Sequence, residues 1–260
     1  MSPMTVTRTT AAARRVGLPA HLAFVLVVAA LLTVVVLAAH GAAEVYEAVA
    51  AGDGIEALDL PVLDAAVASR TPVLTDAAVT LTDLAGRVGT PLLGVLALAV
   101  FTWRRRDWAP TLILVTGLVG SLLLTVAGKR ITDRVRPPRE FMLPPYETSP
   151  SFPSGHTLNT TVLAVLVAYL VVVTVRHAFA RWAAIAVCAA DPLATGASRI
   201  YLGAHWCTDV LAGLLVGAAW AFAVILAHRV WLQLRHREKT DPEPAPAGQL
   251  GAPARRRLRR

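Results

Sequence analysis

The chain has 260 residues, 55% of them hydrophobic and only 16% charged, with a formal net charge of +8. Its apolar residues fall in runs close to the roughly 20 that cross a bilayer as a helix, which excludes a soluble globular domain and leaves few residues over for one. The pattern is that of an all-α integral membrane protein, with membrane lipids as its surroundings and no nucleic-acid partner expected.

In chain order, residues 1–20 read as a basic cytoplasmic tail carrying Arg8, Arg14 and Arg15. Six apolar runs, at about 21–39, 87–103, 109–127, 157–175, 182–198 and 206–227, predict a six-transmembrane-helix bundle within residues 21–237. The first run is followed by AAHGAAE, and Ala39, Gly41 and Ala42 also offer a small-residue cleavage site, the mark of a signal peptide; its length favours a span. Between the first two runs, Leu58, Val62, Leu63 and Ala66, then Leu74, Ala77, Ala78, Leu81 and Leu84, recur at helical spacing. They predict two short amphipathic helices in segment 57–85, broken at Arg70-Thr71-Pro72 and lying at the outer interface over the site. The loop 137–153 holds six prolines and is not expected to be regular. The tail 238–260 cannot bury a core and is expected to be a disordered cytoplasmic segment. Cys188 and Cys207 fall at different depths and support neither a disulfide framework nor a cysteine-based zinc site.

Orientation follows from the cations. Arg8, Arg14 and Arg15, then Arg104 to Arg106, then Arg176 and Arg181, and nine more after the sixth run fall on one side, which becomes cytoplasmic. Segment 40–86 holds eight acids against the single Arg70 and becomes external. The loop after the third run is external by the same topology, yet it carries Lys129, Arg130, Arg134, Arg136 and Arg139, with Arg199 emerging on that side. A basic cluster on the outer face opposes the topology signal, so it points to an anionic ligand.

Three external clusters converge there: KRITDRVRP at 129–137, PSGH at 153–156 and SRIYLGAHWCTD at 198–209. Singly, each has a plain alternative. Lys129 and Arg136 resemble interfacial anchors, Ser154 a helix cap, and His205 with Asp209, four residues on, either a structural hydrogen bond or two metal ligands. Jointly they fit phosphate chemistry. Lys129, Arg136 and Arg199 clamp the oxygens, and N–H groups around Ser154 and Gly155 at a helix start add donors. Asp209 can hold the ring of His205 in one tautomer, which makes it the better nucleophile, and His156 is left as the general acid.

The pattern K-x6-RP, PSGH and SR-x5-H-x3-D resembles the three-part signature of the type 2 phosphatidic acid phosphatase superfamily, the PAP2 or lipid phosphate phosphatase family. Lys129, Arg136 and Pro137, then Pro153, Ser154, Gly155 and His156, then Ser198, Arg199, His205 and Asp209 match every signature position, and the likeness extends over roughly 21–230. The resemblance implies a six-helix bundle and an outward-facing site. It also implies Ser198 among the phosphate-binding residues, a phosphohistidine on His205, and no metal or other cofactor. Its expected substrate is a phosphatidate, a phosphatidylglycerol phosphate or a polyprenyl diphosphate. Phosphoryl transfer to an acceptor other than water, and silent binding of lipid phosphates, are the competing readings; oligomeric state is not legible.

One residue fits none of this. Asp191 interrupts the fifth run, and a carboxylate near a helix centre costs on the order of 2.5 to 3.5 kcal/mol on insertion scales. It is therefore expected to face the interior or a wet cavity, two turns below Ser198 on the same face, with Pro192 loosening the helix beside it.

Overall fold

The computed structural model describes residues 19–144 and 146–240, and within them all regular structure is helical: eight α-helices and two short 3-10 turns. The basic tail 1–18 and residues 241–260 lie outside the described residues, while 238–240 continue the last helix.

Helix α1, Ala20–Ala51, runs well past the expected 21–39. The residues AAHGAAEVYEAVAA are less apolar but rich in alanine and glutamate, which favour helix, so hydropathy falls before helicity does. The helix ends at Gly52 in the left-handed conformation, whose N–H donates to the Ala48 carbonyl. The small residues Ala39, Gly41 and Ala42 lie inside this continuous helix, and Gly41 faces Leu215. A 3-10 turn at Gly54–Leu58 leads into α2, Asp59–Ala68, and α3, Pro72–Leu84. The two short helices part at Arg70-Thr71-Pro72, as expected. Thr71 caps α3 by accepting from the Leu74 N–H, with Pro72 in the first turn where its missing N–H does no harm. Arg70 donates to the carbonyls of Tyr201 and Phe141, tying this junction to the end of the Ala178–Tyr201 helix and to the proline-rich loop.

Helix α4, Gly89–Arg105, follows α3 at a bend of 55°. Then come α5, Ala109–Thr132; α6, Gly155–Thr174; α7, Ala178–Tyr201; and α8, Cys207–Thr240. The loop 137–153 holds only the short turn Arg139–Phe141. By length and composition α1, α5, α6 and Cys207–His236 of α8 qualify as membrane spans, with a fifth if α3 and α4 are one bent span. Against the expected six, four or five helices qualify. Helix α4 has only 17 residues, and α7, at 24, is diluted by Arg181, Asp191, Pro192 and Arg199.

Helix α6 is the hub, packed against α8, α7 and α5, while α1 lies along α8. Its Leu158, Val162, Leu166 and Leu170 are buried against Ile113 and Leu114 of α5 and Ala221, Val224 and Ile225 of α8. Lipid is as apolar as leucine, so close packing of small residues, not water exclusion, draws such helices together. On α8, Gly213 and Gly217 let the backbone meet α6: a Cβ at either position would sit 2.9 Å from the Ser154 carbonyl or 2.8 Å from that of Leu158. That approach sets the first turn of α8 beside the first turn of α6.

Asp191 corrects the expectation made for it. It is exposed on α7, while Pro192 and Ser198 are buried. Seven residues do bring a helix back to nearly the same azimuth, but burial also depends on what stands at each height. Helix α3 meets α7 at Ser198, Arg199 and Tyr201, two turns beyond Asp191.

Candidate active site

The three motifs meet at one end of the bundle. Lys129 sits in the last turn of α5, Arg134 and Arg136 follow it, Ser154 to His156 open α6, Ser198 and Arg199 close α7, and His205 and Asp209 flank the start of α8. Residues far apart in sequence become neighbours because the short connections at 106–108, 175–177 and 202–206 make these helices alternate in direction.

His205 is 1% exposed. Its Nδ1 lies 3.2 Å from Asp209 Oδ2, and its Nε2 lies 3.2 Å from the Arg136 guanidinium. A guanidinium has only donors, so Nε2 must be the acceptor nitrogen; Nδ1 then carries the proton and donates to Asp209. Burial, aided by the nearby Arg199 and Arg136 and opposed by Asp209, lowers the ring to about 4. His205 is therefore neutral near pH 7, with a lone pair on Nε2.

Asp209 is fully buried and multiply held. It accepts from the Trp206 N–H at 2.9 Å, from the Ser151 hydroxyl and from Arg134 at 2.7 Å. Arg134 in turn donates at 2.6 Å to Asp59, the first residue of α2, with Glu56 3.5 Å away. Asp59 accepts also from the Thr208 N–H and hydroxyl, at 2.9 and 2.7 Å, and is itself buried. Burial alone would lower the Arg134 guanidinium, but Asp209 and Asp59 outweigh it and hold it above its ordinary value. A continuous chain Asp59, Arg134, Asp209, His205 thus links the α1–α2 region to the imidazole.

Around Nε2 stand the cations. Arg136 donates to the carbonyls of Ser149 and Ala204, at 2.7 and 2.5 Å, which fixes its fork toward His205. Arg199, 2% exposed, donates to Thr82 of α3 at 3.0 Å, while its Nε has no partner. Lys129 donates to the Pro150 carbonyl. Glu147 completes the cluster. It accepts from Arg199 at 3.2 Å and from Arg87, in the α3–α4 turn, at 3.4 Å, with Arg136 4.0 Å away. Burial would raise its carboxyl, but Arg199, Arg136 and Arg87 together hold it below the usual carboxylate range.

The PSGH turn is more divided. The Ser154 hydroxyl pairs with Thr157 Oγ1, and its N–H donates to the Asp209 carbonyl, so Ser154 braces α6 against α8 and does not cap α6 with its side chain. The N–H groups of Gly155 and His156 precede the first intrahelical bond, Leu158 to Ser154, and have no intrahelical acceptor. His156 is half-buried and its ring makes no hydrogen bond among the described residues; a Cβ on Gly86 would come within 3.6 Å of its Nε2. The Ser198 hydroxyl donates to the Thr195 carbonyl and lies 3.4 Å from Thr82.

Sequence reasoning missed Glu147, Arg87, Thr82, Asp59 and Ser151, and gave Arg134 no role of its own. The available signals were an isolated acid in a proline-rich loop and a third arginine inside KRITDRVRP. Among the described residues no cluster of three or more His, Cys, Asp or Glu is placed to hold a metal ion.

The fold and site define a multi-pass, all-helical membrane protein with a buried histidine ringed by arginines at one end. The family model of the PAP2 superfamily matches residues 110–232. Phosphatidylglycerophosphatase B of Bacillus subtilis (strain 168) is 32% identical over 177 residues, 66% of this chain and 84% of that protein. The chain belongs to the PAP2 superfamily and is a phosphatase. A crystal structure of the first transmembrane PAP2-type phosphatidylglycerolphosphate phosphatase from Bacillus subtilis matches 81% of this chain and 97% of its own, with a TM-score of 0.64 and 26% identity. The structure of Aquifex aeolicus LpxE shares the fold over 65% of this chain and 94% of its own, at a TM-score of 0.52 and 21% identity.

Proposed function

We propose that the protein removes a terminal phosphate from a phospholipid or a polyprenyl (di)phosphate at the external face of the cytoplasmic membrane, through a phosphohistidine on His205. The observation that carries this reading is the polarity of the His205 ring: Nδ1 is committed to Asp209 and Nε2 opens toward Arg136. In the proposed reaction His156 takes up a proton as the anionic substrate enters beside it; Nε2 of His205 attacks phosphorus while the bond to the lipid oxygen breaks, and His156 gives that proton to the departing oxygen. Positive charge developing on His205 is stabilised by Asp209. Arg136, Arg199, Lys129 and the N–H groups of Gly155 and His156 take up the charge on the phosphoryl oxygens. Neutral His156 then accepts a proton from water, which attacks phosphorus and releases phosphate and free His205. The names of the Bacillus subtilis relatives, phosphatidylglycerophosphatase B and a phosphatidylglycerolphosphate phosphatase, support a phosphatase with a lipid substrate.

In this reading α1, α4, α5, α6, α7 and α8 make six crossings. The three-residue turns at 106–108 and 175–177 support antiparallel neighbours on either side of them. Arg104 to Arg106, Arg176 and Arg181 then gather at the end opposite His205, which supports an external site with α2 and α3 at the outer interface. Residues 1–20 and 238–260 become cytoplasmic tails of a single domain, 21–237.

The test is phosphate release by purified protein from a panel of lipid phosphates in the presence of a strong chelator, paired with trapping of an alkali-stable, acid-labile phosphoenzyme. Turnover on the panel and a label absent from His205→Ala are expected. Loss of activity in chelator, restored by zinc or magnesium, would overturn the mechanism in favour of metal assistance.

A further inference from the structure

A cradle of guanidiniums facing a bilayer has a selectivity problem, since the ordinary lipids around it carry phosphodiesters that are anionic too. Nothing in Lys129, Arg136 and Arg199 by themselves tells a diester from a monoester. The position of Glu147 addresses this. Its two oxygens take one hydrogen bond each from Arg199 and Arg87, with Arg136 at 4.0 Å, and its side chain is only 16% exposed. Those guanidiniums are the groups a phosphate would have to engage. Arg199 meanwhile keeps a buried Nε that has no hydrogen-bond partner among the described residues.

We propose that Glu147 is a resident counter-ion of the phosphate cradle, displaced by substrate, and that this exchange weakens every anion alike, so that a monoanionic phosphodiester no longer occupies the cradle while a more strongly held dianionic phosphomonoester or terminal diphosphate still does. The inference rests on the reading of this cluster as the phosphate site. A diester brings one negative charge, so replacing the carboxylate with it trades one monoanion for another. The cradle gains no charge complementarity, and Glu147 must leave three cations. A monoester dianion brings one charge more and three terminal oxygens, enough to engage Arg136, Arg87 and both the Nη and the idle Nε of Arg199. Arg199, Arg136 and Arg87 hold the Glu147 carboxyl below the ordinary carboxylate range, so it competes as a carboxylate near neutral pH.

The experiment uses soluble anions, so that lipid packing plays no part. Inhibition constants of inorganic phosphate and dimethyl phosphate are measured against nitrophenyl phosphate turnover, and binding of both is measured by calorimetry in detergent, for the wild type, Glu147→Gln and Glu147→Ala. Loss of a competing charge-assisted contact should tighten dimethyl phosphate about ten- to a hundredfold in Glu147→Gln. Inorganic phosphate should tighten by a similar factor, because both anions displace the same carboxylate, so dimethyl phosphate becomes an effective inhibitor in the variant where it scarcely occupies the wild type. In Glu147→Ala, added acetate should weaken both anions back toward their wild-type constants by refilling the carboxylate position, which also shows that the variant is folded. Unchanged or weaker binding of both anions in the variants, with the wild type still turning over lipid phosphates, would overturn the counter-ion role and leave Glu147 a brace for the arginines. No phosphate binding and no turnover by any form would instead overturn the phosphate-site reading, and this inference with it.

Discussion

Asp59→Asn tests whether the chain from α2 to the His205 imidazole matters. Asp59 Oδ2 accepts from Arg134 at 2.6 Å and from the Thr208 hydroxyl at 2.7 Å, and Oδ1 accepts from the Thr208 N–H at 2.9 Å. An asparagine keeps one acceptor oxygen. With that oxygen on the Thr208 N–H, its NH2 group faces the Arg134 donors and both charge assistance and the bond are lost. A buried hydrogen bond to a charged group is worth roughly 1.5–3 kcal/mol, and breaking a buried ion pair costs about 3–5 kcal/mol. Because Arg134 keeps Asp209 and has Glu56 within 3.5 Å, about 3 kcal/mol is expected. Arg134 is then less well placed to fix Asp209, and kcat should fall about tenfold for each ~1.4 kcal/mol of that loss felt in the transition state. KM should move less than about twofold, since none of these atoms faces the phosphate cradle. The assay is kcat and KM on a lipid phosphate together with thermal unfolding in detergent, with the exposed Asp64→Asn on the same helix as control. Normal stability with unchanged kcat, or a rise in KM alone, would refute the argument that Asp59 positions the catalytic pair.

Four further outcomes are expected. His205, lowered to about 4 from the ordinary 6.5, should stay neutral through pH 5 in a histidine NMR titration. Its neutral form contributes stability that is fully present above about pH 6.5 and lost as pH falls toward 4; a midpoint near 6.5 would contradict the geometry. His205→Ala should abolish the covalent step, whereas His156→Ala should lose roughly 10² to 10⁴ on lipid substrates and much less on a nitrophenyl ester, whose leaving group needs no proton. In a background with Cys188 and Cys207 replaced by serine, a cysteine at exposed Thr148 should react with an impermeant reagent outside intact cells and one at exposed Arg104 should not; the reverse would put the site in the cytoplasm. Asp191→Leu should leave kcat and KM unchanged with equal or higher thermal stability, because the carboxylate faces outward on α7; altered lipid preference would return it to the substrate path.

Much of this protein is local and so could be read from the chain alone. Apolar runs of span length, the break at Arg70-Thr71-Pro72, the irregular proline-rich loop and the spacing of His205 and Asp209 depend on neighbours a few residues away. The motif residues could be grouped because the connections at 106–108, 175–177 and 202–206 are too short to let the helices they join do anything but alternate in direction. What failed to show in sequence depends on relations no local pattern encodes. Hydropathy falls after residue 39 of α1 while alanine keeps the helix going, so the span and the helix have different ends. Asp191 shares an azimuth with Ser198, but only packing decides that α3 covers one and not the other. Glu147, Arg87 and Asp59 lie 52, 112 and 140 residues before Arg199, and become its neighbours or support its site only when the loop, the α3–α4 turn and α2 close on one end of the bundle. Charge is the reason they gather there: a cluster of buried cations needs carboxylates, and tertiary structure alone chooses which of the chain's acids supply them.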